Sequence, residues 1–427
     1  MSVTESTRAA TRWVTRIVPV ILTAAVVYAT FVVVGRVCSD YLINTRGEVG
    51  SAIAILILYF LLLLLMVATY LRTILTVLFD PGVVPLGPAA IERRQNARDR
   101  RKQGGVGVGG GIDFESQPYY GGPDPNPDSP GLELFYTKDV FICENDGRPK
   151  WCSECCNWKA DRVHHSSEIN RCVYRMDHYC PWVGGMIGEN SFKFFVQFTT
   201  YTACYCALVL GAVASSLRKK SREGLGLDPT YIPAIVLAGF FGLFTFLMTV
   251  TSLRYILLNM TNVDALSSQS KVYQLAIRVP RGTTSTDKFS VVTYPLPKPG
   301  EATNGYQAHG AANGNGAFVA VGPARRDDLA TRTFAILKTE PGENPWDLGL
   351  WRNWRTVMGQ NPLDWLLPLR RSPCVDHDSL DGFYPMGYVL ADVCARYDLA
   401  SLAASDGATG LEMKGLPAGR RREQGGV

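Results

Sequence analysis

Residues 52–71 read Ala52-Ile53-Ala54-Ile55-Leu56-Ile57-Leu58 and on through Leu61 to Leu65, with no charge until Arg72. That is about the twenty apolar residues a helix needs to cross the hydrocarbon of a bilayer. Similar runs occupy roughly 17–34, 194–213 and 232–253. With 47% hydrophobic residues over 427 positions, the chain is not one soluble domain but a polytopic membrane protein. The alternative for each run is a helix buried in a large soluble core, and residues 52–71 are too long and too uniformly apolar for it. The first run follows Arg8, Arg12 and Arg16, as in a signal peptide, but it is long for that role and lacks a small-residue cleavage site.

Four spans place both termini on one side. Arg8, Arg12 and Arg16, with Arg93, Arg94, Arg98, Arg100, Arg101 and Lys102 in the central loop, assign that side to the cytosol. Arg218, Lys219, Lys220 and Arg222 follow the third run and oppose this assignment. The even span count and the thiol chemistry below, which needs a reducing compartment, decide against them. The net charge of +5 is therefore a membrane-side signal. No base-stacking or groove-reading motif accompanies it, so nucleic acid is not an expected partner.

Between the second and third runs lies the chemistry. Cys152 and Cys155 have the C-x2-C spacing that lets one turn present two thiolates to a metal, and His165 and Cys172 can complete a tetrahedral zinc site. A lone CxxC also suits a redox pair; the later His and Cys, with no parallel βαβ pattern nearby, favour zinc. Asp177, His178 and Cys180 follow. An imidazole can take a thiol's proton and a carboxylate can hold that imidazole in place, which makes a nucleophile. Taken alone, these residues leave open whether Cys180 is that nucleophile or another metal ligand.

Cys152-x2-Cys155, Lys159, Arg162, His164-His165, Arg171-Cys172-Val173, Met176-Asp177-His178, Cys180-Pro181-Trp182-Val183, Gly188 and Asn190 resemble the DHHC family of membrane-bound protein S-palmitoyltransferases. The chain is similar to the fungal branch whose tetrad carries Tyr in place of the second His, here Tyr179. The resemblance implies catalytic roles for Cys180, His178 and Asp177, with one structural zinc on Cys152, Cys155, His165 and Cys172. The positions matching the family's second zinc site are Ser166, Ile169, Tyr179 and Met186. None is a plausible ligand, so one zinc is expected. The implied reaction takes palmitate from palmitoyl-coenzyme A onto Cys180, then onto cytosolic cysteines of membrane-associated proteins. Trp182 is expected near the thioester and Tyr205 at the far end of an acyl cavity among the spans; Arg175 and Lys193 are candidates for the coenzyme A phosphates. The second reading is a catalytically weak or inactive zinc-bearing membrane scaffold. A transporter is disfavoured because no charge sits mid-span.

The expected fold class is all-α and polytopic, with four transmembrane helices and a small zinc-bound cytosolic cysteine-rich domain between the second and third. In chain order the divisions are a first transmembrane hairpin at 1–82, ending in the helix stop Asp80-Pro81-Gly82, and a flexible linker at 83–131. The zinc-binding catalytic domain covers 132–191, and its stretch from Phe135 to Gly147 has the alternation and Asp-Gly turn of a short hairpin. A second transmembrane hairpin at 192–256 precedes a cytosolic segment at 257–298, in which Thr261-Asn262-Val263-Asp264 resembles the family's Thr-Thr-x-Glu motif. A low-complexity linker at 299–341 leads to the Trp-rich C-terminal palmitoyltransferase motif at 342–370, whose Asn is Asn353, and a tail at 371–427.

Overall fold

A computed structural model describes residues 3–102, 131–294 and 332–399. The expected basic side chains before the first span, the low-complexity stretches at 104–111, 121–130 and 299–323, and Arg420 to Arg422 lie outside the described side chains. Four helices are long and apolar enough to cross a membrane: Ile17–Thr45, Val49–Phe79, Phe192–Arg222 and Tyr231–Leu257. All four overrun the expected bounds. The last part of the first span, Phe31–Thr45, winds with wide π-type turns. Ten short strands are described. They are β1 Val140–Cys143, β2 Lys150–Cys152, β3 Asn157–Lys159, β4 His164–Ser166 and β5 Arg171–Val173. After them come β6 His178–Cys180, β7 Gly185–Ile187, β8 Gln274–Val279, β9 Ser290–Tyr294 and β10 Arg332–Lys338.

The chain divides into two compact units. The first holds residues 1–83, 175–265 and 349–375; the second holds 84–174, 266–348 and 376–427. The boundary between Tyr174 and Arg175 falls inside the expected 132–191 domain, so that stretch is not one body.

The first unit is the membrane bundle. The second span turns Thr69, Thr73 and Thr76 inward, and each hydroxyl donates to the carbonyl four residues back at 2.7–2.8 Å. Polar groups are thereby satisfied without leaving apolar surroundings. The span stops at Asp80, whose freed carbonyl accepts from Asn190 Nδ2 at 3.1 Å, and Gly82 supplies the left-handed turn at φ 68°. At the other end, the basic cluster that runs against the charge pattern is partly neutralised. Lys219 pairs with Glu48 at 3.4 Å, and the Lys220 ammonium lies over the rings of Tyr41 and Tyr231.

The second unit contains the metal-ligand loops and a four-stranded antiparallel sheet in the order β1-β8-β10-β9. Phe141, Leu275, Phe334, Tyr294 and Val393 fill its core. Several expectations are corrected here. The Asn145-Asp146-Gly147 turn forms and is closed by one antiparallel bridge between Cys143 and Pro149, but β1 pairs along its length with β8, from beyond the fourth span. The linker at 299–341 gives way at Arg332 to β10, the strand between β8 and β9. The tail beyond 371 supplies the helix Tyr388–Arg396, whose Val389 and Val393 are core residues. The flexible linker at 83–131 begins with a helix, Pro88–Lys102, opened by Pro at its first position. Arg93 Nη2 donates to the carbonyls of Ser153 and Glu154, and Arg94 Nη2 to that of Asn170 at 2.8 Å. Part of the charge read as a topology signal therefore clasps the metal-ligand loops.

Asp161, with no signal in the sequence, anchors the same loops to the sheet. Its Oδ1 accepts from the Ile142 N–H at 2.8 Å, while Oδ2 is buried with no hydrogen-bond partner. Burial pushes this carboxyl up to about 7. A carboxyl raised in the fold and ordinary in the unfolded chain costs nothing below pH 4. Its cost grows as pH climbs from about 4 to 7, to at most about 4 kcal/mol. The melting temperature of the second unit should therefore fall between pH 5 and pH 8. Asp161→Asn, which keeps the Oδ1 acceptor, should flatten that slope; an unchanged slope would assign the pH dependence elsewhere.

Candidate active site and metal centre

The Cys152–Cys155 turn joins β2 and β3, and His165 and Cys172 face each other as a registered pair on β4 and β5. His165 Nδ1 lies 3.6, 3.4 and 3.9 Å from the sulfurs of Cys152, Cys155 and Cys172, and all four ligand atoms fall within 4.8 Å of one another. Tetrahedral zinc at ordinary bond lengths needs sulfur–nitrogen separations of roughly 3.6 Å, so the donor set fits that ion. The three cysteine residues are buried. The chain before the Pro88–Lys102 helix braces the site. Val84 N–H donates to Cys172 O and Gly87 N–H to Cys155 O, both at 2.9 Å. A Cβ at Gly87 would meet the Cys156 carbonyl oxygen at 1.5 Å, so only glycine fits there. The sequence reading missed this brace because a lone glycine before a proline reads only as a turn. Among the described residues this is the one Cys/His cluster of metal-binding form. Ser166, a position where a second site would need a ligand, donates instead to Glu168 at 2.7 Å; Tyr179 and Met186 form a cross-strand pair on β6 and β7.

In the first unit, β6 carries His178, Tyr179 and Cys180 on consecutive positions. Asp177 is buried, with both oxygens used. Oδ2 meets His178 Nδ1 at 2.6 Å and Oδ1 accepts from the Asn262 N–H at 2.8 Å. Asn262 is held in place by its neighbours. Asp264 Oδ2 accepts from Thr261 N–H and Thr261 Oγ1 from Asp264 N–H, both at 3.1 Å, a reciprocal capping box with Asp in the usual Glu place. The Thr-Asn-Val-Asp motif thus presents one backbone N–H to the carboxylate behind the histidine. With Nδ1 committed to Asp177, Nε2 is the nitrogen free to exchange a proton, and it is buried without a hydrogen-bond partner. Burial lowers the pKa of this ring, but the bond to Asp177 and then the Cys180 sulfur outweigh it, and the net is a rise to about 9. The ring therefore holds a proton more tightly than an ordinary imidazole.

Cys180 and His178 open on an apolar cavity of about 220 Å³ walled by Trp182, Phe195, Phe198, Phe244 and Met248. A larger cavity of about 520 Å³, bounded by all four spans, shares Leu22, Phe198, Thr202 and Phe241 with it. Trp182 is fixed by the Tyr70 hydroxyl on its carbonyl at 2.9 Å. Tyr205 lines the larger cavity, about 10 Å further along the third span than Phe198. Its hydroxyl is 2.7 Å from that of Tyr59, which is 2.7 Å from Thr30 Oγ1.

Residues 145–269 match the family described as DHHC palmitoyltransferase. The palmitoyltransferase pfa5 of Aspergillus fumigatus is 37% identical over 414 residues, 88% of this chain and 88% of that protein. The palmitoyltransferase pfa5 of Emericella nidulans is 36% identical over 433 residues, covering 92% and 88%. The PFA5 palmitoyltransferase of Saccharomyces cerevisiae matches at 32% over 124 residues, 28% of this chain and 33% of that protein. The chain belongs to the DHHC palmitoyltransferase family. It is a multi-pass member, with its cysteine-rich stretch between the second and third of four apolar helices. Two of its expected ligand contacts need correction. Arg175, at positive φ, is buried and donates to Asn259 Oδ1 at 2.9 Å and toward Cys374 Sγ at 3.3 Å. Lys193 is 0% exposed and donates to Arg370 O at 3.0 Å. Both cations serve the packing of this palmitoyltransferase, so neither is presented to a phosphate. Adjacency in sequence to Cys180 misled because burial is decided by the tertiary contacts of each side chain.

Proposed function

We propose that this palmitoyltransferase moves palmitate from palmitoyl-coenzyme A to cysteine thiols of membrane-associated proteins through an acyl-enzyme on Cys180. The observation that carries the reading is the Asn262–Asp177–His178 relay ending beside Cys180 at the mouth of an apolar cavity. In the first step His178 Nε2 takes the Cys180 proton, and the thiolate attacks the thioester carbonyl. The bond to the coenzyme A sulfur breaks and that sulfur leaves with the proton from Nε2. In the second step Nε2 takes the proton of a protein thiol, whose sulfur attacks the Cys180 thioester and releases Cys180 to be protonated again. One thioester is exchanged for another in each step, so positioning and proton management carry the catalysis. Asp177 fixes the tautomer throughout.

The acyl chain fits the joined cavities, with Trp182 at the reacting end and the Thr30–Tyr59–Tyr205 hydroxyls at the far end. Cys152, Cys155, His165 and Cys172 would hold one zinc ion. With four protein ligands the metal supplies folding energy and has no open position for Lewis-acid chemistry. The thiol chemistry, which needs a reducing compartment, and the even span count support a cytosolic location for this machinery and both termini.

Incubation of the purified chain with radiolabelled palmitoyl-coenzyme A tests the reading. Hydroxylamine-sensitive label should accumulate on wild type and fall to background in Cys180→Ala, with metal content and melting temperature unchanged. Label that persists at full level in the variant would move the nucleophile to another thiol.

A further inference from the structure

The strip from Leu350 to Arg371 carries five large apolar side chains that remain more than half exposed, Trp351 with one side of its ring against Trp365 and Arg355. Leu350 is 63% exposed, Trp351 53%, Leu363 66%, Leu366 57% and Leu369 68%. Its other face is packed. Asn353 Nδ2 donates to Leu257 O at 2.8 Å, Trp365 Nε1 donates to Gly359 O at 2.9 Å, and Val357 and Met358 are buried.

The depth of the strip is set by the second and third spans. Gln197 Nε2 donates to the carbonyls of Asp364 and Trp365 at 3.1 and 2.9 Å, and Tyr201 Oη to that of Leu366 at 2.6 Å. Arg371 meets Asp80, where the second span ends, at 2.5 Å. The third span closes in the basic run that begins at Arg218. Counting back from Arg218 across about 30 Å of hydrocarbon at about 1.5 Å per residue reaches Phe198. Tyr201 is inside that limit, and tilting the helix only draws more residues in. The Leu366 carbonyl, held by Tyr201, therefore lies where hydrocarbon gives way to headgroups. A water-soluble partner does not reach that level. Arg352, Arg370 and Arg371 of the same strip are exposed, Arg355 lies half-buried over the Trp351 ring, and the strip's one acid is the buried Asp364, 3.9 Å from Arg370.

We propose that residues 350–371 form an interfacial lipid-binding element, continuous with the bilayer-facing surface of the spans. Leu350, Trp351, Leu363, Leu366 and Leu369 enter the edge of the bilayer, and the exposed arginines take acidic phospholipid headgroups. Trp354, Val357, Met358 and Trp365 of this strip pack in the cluster that holds Cys180, Ile187 and Phe195. The lipid contact and the catalytic core thus share one element.

The test uses full-length protein in nanodiscs of zwitterionic lipid with a minor share of acidic phospholipid. A diazirine leucine is placed in turn at positions 363, 366, 369 and, as a buried control, 357, then irradiated and read by mass spectrometry. Lipid adducts should dominate at 363, 366 and 369 and exceed those at 357 at least tenfold. Acidic lipid should be over-represented at 369 by about fivefold, the weight of one basic side chain at an anionic surface, and this excess should vanish with Arg370→Gln. Water-insertion products, or cross-links to a second copy, as the main products at all three positions would overturn the element. An excess of acidic lipid that survives Arg370→Gln would overturn the headgroup assignment to Arg370. No turnover is read, so the outcome is independent of the chemistry at Cys180.

Discussion

His178→Ala lowers acyl-enzyme formation at pH 7 by about a hundred- to ten-thousand-fold, the usual cost of losing a general base. Part of the loss returns as pH rises, because a thiol left alone ionises near its ordinary value of about 8.5. Wild type should change far less over pH 7 to 9. Its own base stays bonded to Asp177 beside the thiol throughout that range. The raised pKa of that ring, about 9, carries a stability signature. A histidine whose pKa is higher in the fold than in the unfolded chain stabilises fully below about pH 6.5, and the contribution is lost as pH rises through about 9. Asp177→Asn should remove both behaviours, since the His178 ring loses its bond to an anion. Tyr179→Phe is the contrast: its ring sits on the cavity wall opposite Met186. Losing one neutral hydrogen bond costs roughly 1 kcal/mol, so transfer should stay within about tenfold. Single-turnover labelling across pH 6.5 to 9 separates these cases. A His178→Ala profile parallel to wild type, or an inactive but folded Tyr179→Phe, would undo the division of roles.

Cys172→Ala removes the metal and unfolds the second unit. Structural zinc contributes on the order of 10 kcal/mol to folding, comparable to the whole stability of a domain. Three ligands remain, but the sulfur lost is the one opposite His165 on the β4–β5 pair, and three donors do not close a tetrahedral site. Metal analysis should return about one zinc per chain in wild type and almost none in Cys172→Ala. Proteolysis of the variant should cut residues 131–174 while leaving the four spans intact. Two zinc ions in wild type would revive a second site. Full metal and unchanged protease resistance in Cys172→Ala would remove Cys172 from the centre.

The four spans, the Cys/His cluster and the Asp177–His178 contact were legible because each is local. A span is a length of apolar sequence, and a CxxC turn sets its own sulfur spacing. His178 and Asp177 are neighbours on the chain, so their contact needs no fold. What tertiary structure alone decided involves residues far apart in the chain. The sheet joins Val140–Cys143 to a strand from beyond the fourth span and to another after 331, a pairing that strand alternation cannot announce because partner choice depends on long-range closure. Asn262 became the support of Asp177, Gly87 the brace of the metal loops and Asp161 their anchor only when backbone groups came into hydrogen-bond range. Arg175 and Lys193 show the converse. Their charge beside Cys180 suggested a phosphate, but whether a cation meets solvent or an interior carbonyl depends on what packs around it, and that is a property of the fold.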